Sequence, residues 1–185
     1  MKIELSKKIL HLFLGFIFLG CSAKSNISNL KNSNQNKKYD YVIQVTINAS
    51  KERVWEIITD FKNYPKWNSV LTMQNNDNFE IGKEFDVTIF NKDGSIADNF
   101  KAIAEQKNQF QLFWASSTMM HKKFFKAIHY FIVEEISKTK VKFIQKWKLE
   151  GIISYLLEGM IFEQLDLFKL MNTQLKKQAE SNNYR

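Results

Sequence analysis

Residues 152–180 read IISYLLEGMIFEQLDLFKLMNTQLKKQAE, and they decide the fold. Advancing about 100° per residue from Ile161 brings Leu157, Leu165, Phe168, Leu175 and Ala179 within about 40° of it, with Met160 and Met171 on the same flank. Glu158, Glu163, Asp166, Lys169, Lys176 and Lys177 fall on the other side. No proline interrupts the run, so the spacing predicts one long helix from Ile152 to about Glu180. A helix with so wide an apolar face has to lie on something equally apolar, and the segments upstream predict a sheet.

Tyr39 to Asn48 alternates Tyr39, Tyr41, Ile43, Val45 and Ile47 against polar residues, as a half-buried strand does. Ser50 then offers an N-cap. Val54, Trp55, Ile57, Ile58 and Phe61 recur at helical spacing, which predicts a short helix from about Lys51. Trp55 is expected to anchor that helix on the sheet. Asn63-Tyr64-Pro65-Lys66-Trp67 should break it, because the residue before a proline avoids the helical well. Ser69–Gln74 is a weak strand candidate, and Glu84–Asn91 alternates well. Asp93-Gly94 signals a hairpin into a returning strand, Ile96–Glu105, whose inward face the pattern leaves open. Gln109–Ala115 puts Phe110, Leu112 and Trp114 together. The two longest strands are Phe124–Glu135 and Thr139–Glu150. Phe125, Ala127, His129, Phe131 and Val133 share one face of the first, and Val141, Phe143, Gln145, Trp147 and Leu149 share one face of the second. Lys140, Lys142, Lys146 and Lys148 occupy the other face of the second, so a slip of one residue would bury four charges. With Lys126 they predict a basic outer face, either a solvated guard against aggregation or a rest for anionic head groups. The order is strand, short helix, about six further strands, long helix. It predicts an α+β fold, a curved antiparallel sheet of about six to seven strands wrapped round the C-terminal helix.

The chain has 185 residues with a formal net charge of +8, sixteen phenylalanines, four tryptophans and one cysteine. That length gives one domain with short appendages, and so many rings predict a core or a cavity built around them. Residues 1–20 place Lys2, Lys7 and Lys8 before the apolar run Ile9–Leu19, in the order of a secretory signal peptide. The run is too short to span a bilayer, which takes about 20 residues. Phe18-Leu19-Gly20-Cys21 resembles a bacterial lipobox, which implies a diacylglycerol on Cys21 and a protein tied to a membrane of the cell envelope. Residues 21–38 are rich in Asn, Ser and Lys without apolar period, a tether with a reach of about 23 Å. The domain is expected over 39–181, followed by a tail, 182–185. An export signal argues against nucleic acid as the partner of the positive charge, and nothing in the sequence calls for more than a monomer.

Ala49-Ser50-Lys51-Glu52-Arg53-Val54-Trp55, running into Asp60-Phe61-Lys62-Asn63-Tyr64-Pro65-Lys66-Trp67-Asn68, resembles the START-like superfamily (SRPBCC), and within it the polyketide cyclase/dehydrase-like branch. Leu112-Phe113-Trp114 and the stretch from Phe168 to Lys177 are similar to the same branch. The resemblance implies a helix-grip fold over the whole domain and a cavity between sheet and terminal helix that accepts a hydrophobic ligand. The superfamily holds lipid carriers as well as aromatases and cyclases, so the fold alone does not supply a chemistry.

Alternation and the helix wheel then give the expected lining of that cavity. Phe110, Trp114, His129, Phe131, Phe143, Gln145 and Trp147 come from the strands. Met160, Gln164, Phe168 and Met171 come from the helix. His129 is the one inward acid–base candidate, with Gln145, Gln164 and Asn172 as polar companions. His11 falls in the signal segment, and His121 in an expected loop beside Lys122 and Lys123. No nucleophile–base set, metal-ligand spacing or glycine-rich phosphate loop is present, so neither a metal nor a cofactor is expected. Three functions stay open. The first is a lipid-anchored module holding a hydrophobic small molecule, either a lipid or a polycyclic compound. The second is a cyclase- or dehydratase-like enzyme using His129, and the third an envelope interaction module whose interior is filled.

Overall fold

A computed structural model describes residues 39–75, 79–116, 125–151 and 154–181, with side chains from Tyr41 onward and, in the last helix, from Gln164. The expected signal segment, Cys21 and the expected tether lie outside the described residues. Tyr39–Ile47 (β1) leads into Lys51–Thr59 (α1), a 3-10 turn at Phe61–Asn63 and Tyr64–Trp67 (α2). Leu71–Gln74 (β2), Glu84–Phe90 (β3), Ile96–Asn108 (β4), Gln111–Ser116 (β5), Lys126–Ser137 (β6) and Lys140–Glu150 (β7) follow, and Ser154–Glu180 (α3) closes the chain. The strands form one antiparallel sheet in the order β1-β7-β6-β5-β4-β3-β2, with the last strand in sequence beside the first.

Burial alternates along the whole of β7, with Val141, Phe143, Gln145, Trp147 and Leu149 turned inward as the pattern requires. Leu167, Phe168, Met171, Leu175 and Ala179 of α3 are buried, and they form one core with the inward residues of the sheet. Helix and sheet therefore hide the same apolar surface from water, the chief term holding them together.

Local chemistry explains the ends of the elements. The Ser50 hydroxyl accepts from the Arg53 amide at 3.3 Å and caps α1. The expected break at 63–67 is instead the helical turn α2. Pro65 stands in its first turn, where an amide hydrogen would have no partner anyway. Tyr64 is fully buried, and its hydroxyl donates to the Ile58 carbonyl at 2.6 Å, binding α2 to α1. β4 runs on to Asn108 with its register shifted between Ala104 and Gln106. Before that bulge Phe100, Ala102 and Ala104 face the core, and beyond it Gln106, Lys107 and Asn108 are exposed. β5 starts one residue after Phe110, which takes a positive φ of 68° in the turn, and its carbonyl accepts from the Val133 amide at 2.9 Å.

The C-terminal end of α3 is fastened by side chains. Arg53 Nε donates to the Ala179 carbonyl at 2.5 Å, and the same guanidinium donates to the carbonyl of Ser181. The Asn48 amide donates to Glu180 at 2.7 Å, and Lys176 Nζ donates to the Thr46 carbonyl at 2.9 Å. On the outer face of the sheet the lysines meet carboxylates. Lys101 lies 3.1 Å from both Glu84 and Asp86, Lys126 lies 2.7 Å from Glu105, and Lys142 lies 3.7 Å from Glu134. Lys148 pairs with Glu150. The basic stripe of the sequence is thus a mixed-charge surface in the fold, which fits a solvated face.

Candidate functional site

Register brings the site together. Trp114 of β5 faces His129 of β6, which faces Trp147 of β7, all on the side of the sheet that α3 covers. One step along, Phe131 faces Gln145. His129 stacks on Trp147 with ring centroids 4.1 Å apart, meets Trp114 at 4.6 Å and Phe131 at 4.8 Å, and takes Phe168 of the helix edge-on at 5.0 Å. Phe143 lies against Phe131 at 5.5 Å.

A polar row crosses this wall of rings. His129 Nε2 lies 3.0 Å from Gln145 Oε1. Gln145 Nε2 donates to Asn172 Oδ1 at 2.7 Å, with the Phe168 carbonyl at 3.4 Å. A backbone carbonyl only accepts, so the nitrogen of the Gln145 amide must point toward the helix and its oxygen toward the histidine. His129 then carries its proton on Nε2 and a bare lone pair on Nδ1. Burial pushes the His129 pKa down to about 3, against the smaller upward pull of Gln145, so the ring is neutral at physiological pH. All three side chains are buried. The row is hydrogen-bonded and uncharged, as an apolar interior demands.

Of the expected lining, Trp114, His129, Phe131, Phe143, Gln145, Trp147, Phe168 and Met171 are buried in this core. Phe110 stands apart in its turn, edge-on to Trp55 at 5.8 Å with the Lys51 ammonium 4.2 Å from its ring centroid, so it closes the sheet against α1. Gln164 reaches Asp98 at 3.4 Å, toward the β3–β4 hairpin. The side chains of Met160 and His121 lie outside the described residues. Two residues escaped the sequence patterns. Phe79, with a φ of 50°, fills the space beside Phe61, Phe85 and Trp114 from an irregular loop, where no period could reveal it. Ser116 continues the inward series Leu112, Trp114, and its buried hydroxyl has no partner among the described residues.

A weak base such as this histidine, whose one hydrogen-bond partner among the described residues is an amide, suits recognition better than proton transfer. Among the described residues no group of His, Cys, Asp and Glu gathers as a metal would need. A groove of about 230 Å³ lies between Phe61–Pro65 and Thr72–Asn75, and no residue of the polar row lines it.

Residues 40–90 match the family described as polyketide cyclase / dehydrase and lipid transport. No curated protein matches the chain. Among solved structures it is similar to a START superfamily protein from Mycobacterium smegmatis, with a TM-score of 0.55, 17% identity, and 76% of this chain and 97% of that one covered. It is also similar to norcoclaurine synthase from Thalictrum flavum, with a TM-score of 0.55, 14% identity, and 80% and 100% coverage. The Zhui aromatase/cyclase from Streptomyces sp. R1128 gives a TM-score of 0.56 at 9% identity, with 77% and 94% coverage. At such identities the likeness is one of fold, and the fold is that of the START-like superfamily.

Proposed function

We propose that this chain, having the START-like fold, is a binding protein that holds a hydrophobic small molecule between the concave face of its sheet and α3. Its tie to a membrane of the cell envelope would be a diacylglycerol on Cys21. The observation that carries the proposal is the wall of rings crossed by one neutral, hydrogen-bonded polar row. Apolar walls give affinity for a hydrophobic body, and a few fixed polar atoms orient it. The family description, which includes lipid transport, agrees with such a role.

The test is extraction of the purified full chain with organic solvent, followed by mass spectrometry and titration with fluorescent lipid and polycyclic probes. A recovered apolar molecule or saturable probe binding is expected. A chain that yields no molecule and binds no probe would sink the proposal. For the anchor, metabolic labelling with an alkyne-bearing fatty acid should tag the wild type and leave Cys21→Ala unlabelled, and equal labelling would exclude Cys21 as the acceptor.

The enzymatic alternative draws on the neighbours named as a synthase and as an aromatase/cyclase. It needs His129 to take a proton, and a pKa of about 3 makes that ring a poor base. The interaction module with a filled interior has a specific support, because the rings around His129 touch one another at 4.1–5.0 Å and leave no room at that level. On the binding reading proposed here, the ligand lies elsewhere on the concave face than at the level of these rings.

A further inference from the structure

We infer that the free edge of β2 docks an extended acidic peptide, which adds there as a further strand and carries an apolar side chain two places from a carboxylate. Among the described strands β2 closes the sheet on its side, paired with β3. The Phe90 amide donates to the Val70 carbonyl at 2.8 Å, and the bonding alternates along the register from there. Thr72 and Gln74 turn their backbone groups toward β3, so Leu71 and Met73 turn theirs toward the free edge.

At Leu71 that edge is already taken. The buried Asn68 side chain donates to the Leu71 carbonyl at 3.1 Å and accepts from the Leu71 amide at 3.2 Å. A side-chain amide thus meets this backbone as the peptide group of a neighbouring strand would. The next outward amide and carbonyl belong to Met73, and no hydrogen bond engages them among the described residues. There the edge opens on the groove of about 230 Å³ between Phe61–Pro65 and Thr72–Asn75. Unpaired edge groups beside a groove are what strand addition uses.

The groove also selects side chains. Its volume lies below the about 300–1,000 Å³ of sites that engulf a small molecule. An antiparallel strand exchanges both bonds with Met73, and its residue there shares the inner face of the Met73 side chain. Phe61 belongs to the same core as Met73 and with Pro65 gives the groove an apolar wall. The residue two places along returns to that face. Lys62 is the charged member of the lining, and a carboxylate complements it. Asp60, next to Phe61 in sequence, is held by Asn63 at 2.6 Å, and Asp86, across from Gln74, lies 3.1 Å from Lys101. An edge this short gives a weak, transient contact.

The test titrates the nitrogen-15-labelled full chain with the end-capped peptide Thr-Glu-Thr-Leu-Thr-Glu-Thr and three variants. One replaces both glutamates by lysine, one is N-methylated at leucine, and one at the threonine after it. The amides of Thr72, Met73 and Gln74 should shift with the parent peptide. N-methylation of leucine removes the hydrogen given to the Met73 carbonyl and should weaken binding about tenfold or more. The methylated threonine, whose amide points away from β2, should bind like the parent. Lysine for glutamate should weaken binding about threefold, and Lys62→Glu, a change at an exposed residue, should reverse that order. Equal binding of the two methylated peptides overturns strand addition, and an order unchanged by Lys62→Glu overturns the acidic partner. A parent peptide that leaves the three amides unmoved at millimolar concentration overturns the inference as a whole. Each result leaves the small-molecule reading where it stood, because the groove shares no residue with the polar row.

Discussion

A histidine sealed among rings carries a thermodynamic signature that a solvent-exposed one lacks. The folded pKa of His129 lies near 3, below the ordinary value of 6.5. Its neutral form is thus stabilised by the fold, and the unfolded chain binds the extra proton between those two values. Stability from this residue is fully present above pH 6.5 and falls as pH drops toward 3, by about 1.4 kcal/mol per unit. Denaturant melts at pH 6.5 and 5 should therefore differ by about 2 kcal/mol, and the difference should vanish in a folded His129→Phe variant. A wild type equally stable at both pH values would show the ring to be wet. Gln145 is the other pivot, since among the described residues it carries the hydrogen bonds that link the histidine to the helix. Gln145→Leu fits the volume but strands His129 Nε2 and Asn172 Oδ1, so a loss of about 2–4 kcal/mol is expected in the same melts, and a neutral outcome would mean that both atoms find water. The inward position of both residues was legible in the period-two pattern. Which nitrogen holds the proton was not, because it follows from the Phe168 carbonyl on a helix distant in sequence.

Elements whose register is tied to burial were legible, and elements shaped by local exceptions were not. β6, β7 and α3 follow their periods without interruption through their described buried faces, and the sequence locates them to within a few residues. β4 defeats alternation at its bulge, and Phe110 leaves its strand because the turn requires a positive φ there. That turn changes the role of Trp55. Trp55 is partly buried and leans on Phe110, while Val54, Ile57 and Ile58 are the buried face of α1. Trp55→Ala should accordingly cost about 2 kcal/mol, less than the 3–5 of a fully buried tryptophan, and a larger loss in urea melts would place it in the core after all. The joint between α1 and α3 rests on Arg53, whose planar fork reaches the carbonyl of Ala179 in the helix and that of Ser181 just past its end. A lysine offers a single point charge on a flexible stem and cannot reproduce both bonds. Arg53→Lys should destabilise by about 1–2 kcal/mol and speed amide exchange in the last turn of α3, and unchanged exchange there would remove Arg53 from the joint.

Across the whole molecule, the described part of α3 is held both by burial and by side-chain hydrogen bonds. Its C-terminal half is buried at Phe168, Met171, Leu175 and Ala179 and tied by Arg53, Asn48, Thr46 and Ser69 to segments before β2. Gln164, the first residue of the helix with a described side chain, reaches Asp98 at 3.4 Å. Opening the C-terminal half would break the core shared with β1 and β7, so its amides should exchange only when the whole domain unfolds. A ligand that binds the folded state alone raises that global free energy by RT ln(1 + [L]/Kd), about 2.7 kcal/mol at a hundredfold excess over Kd. Holding a hydrophobic probe at a hundredfold excess over its Kd should therefore slow exchange at Met171 and Leu175 by about a hundredfold. The same increment should appear at Phe143 and Phe131 in the central strands, because one cooperative core transmits it to all of them. If bound probe protects only the residues that touch it while Met171 and Leu175 exchange as before, the parts of the grip open independently, and the shared core is not a single cooperative unit.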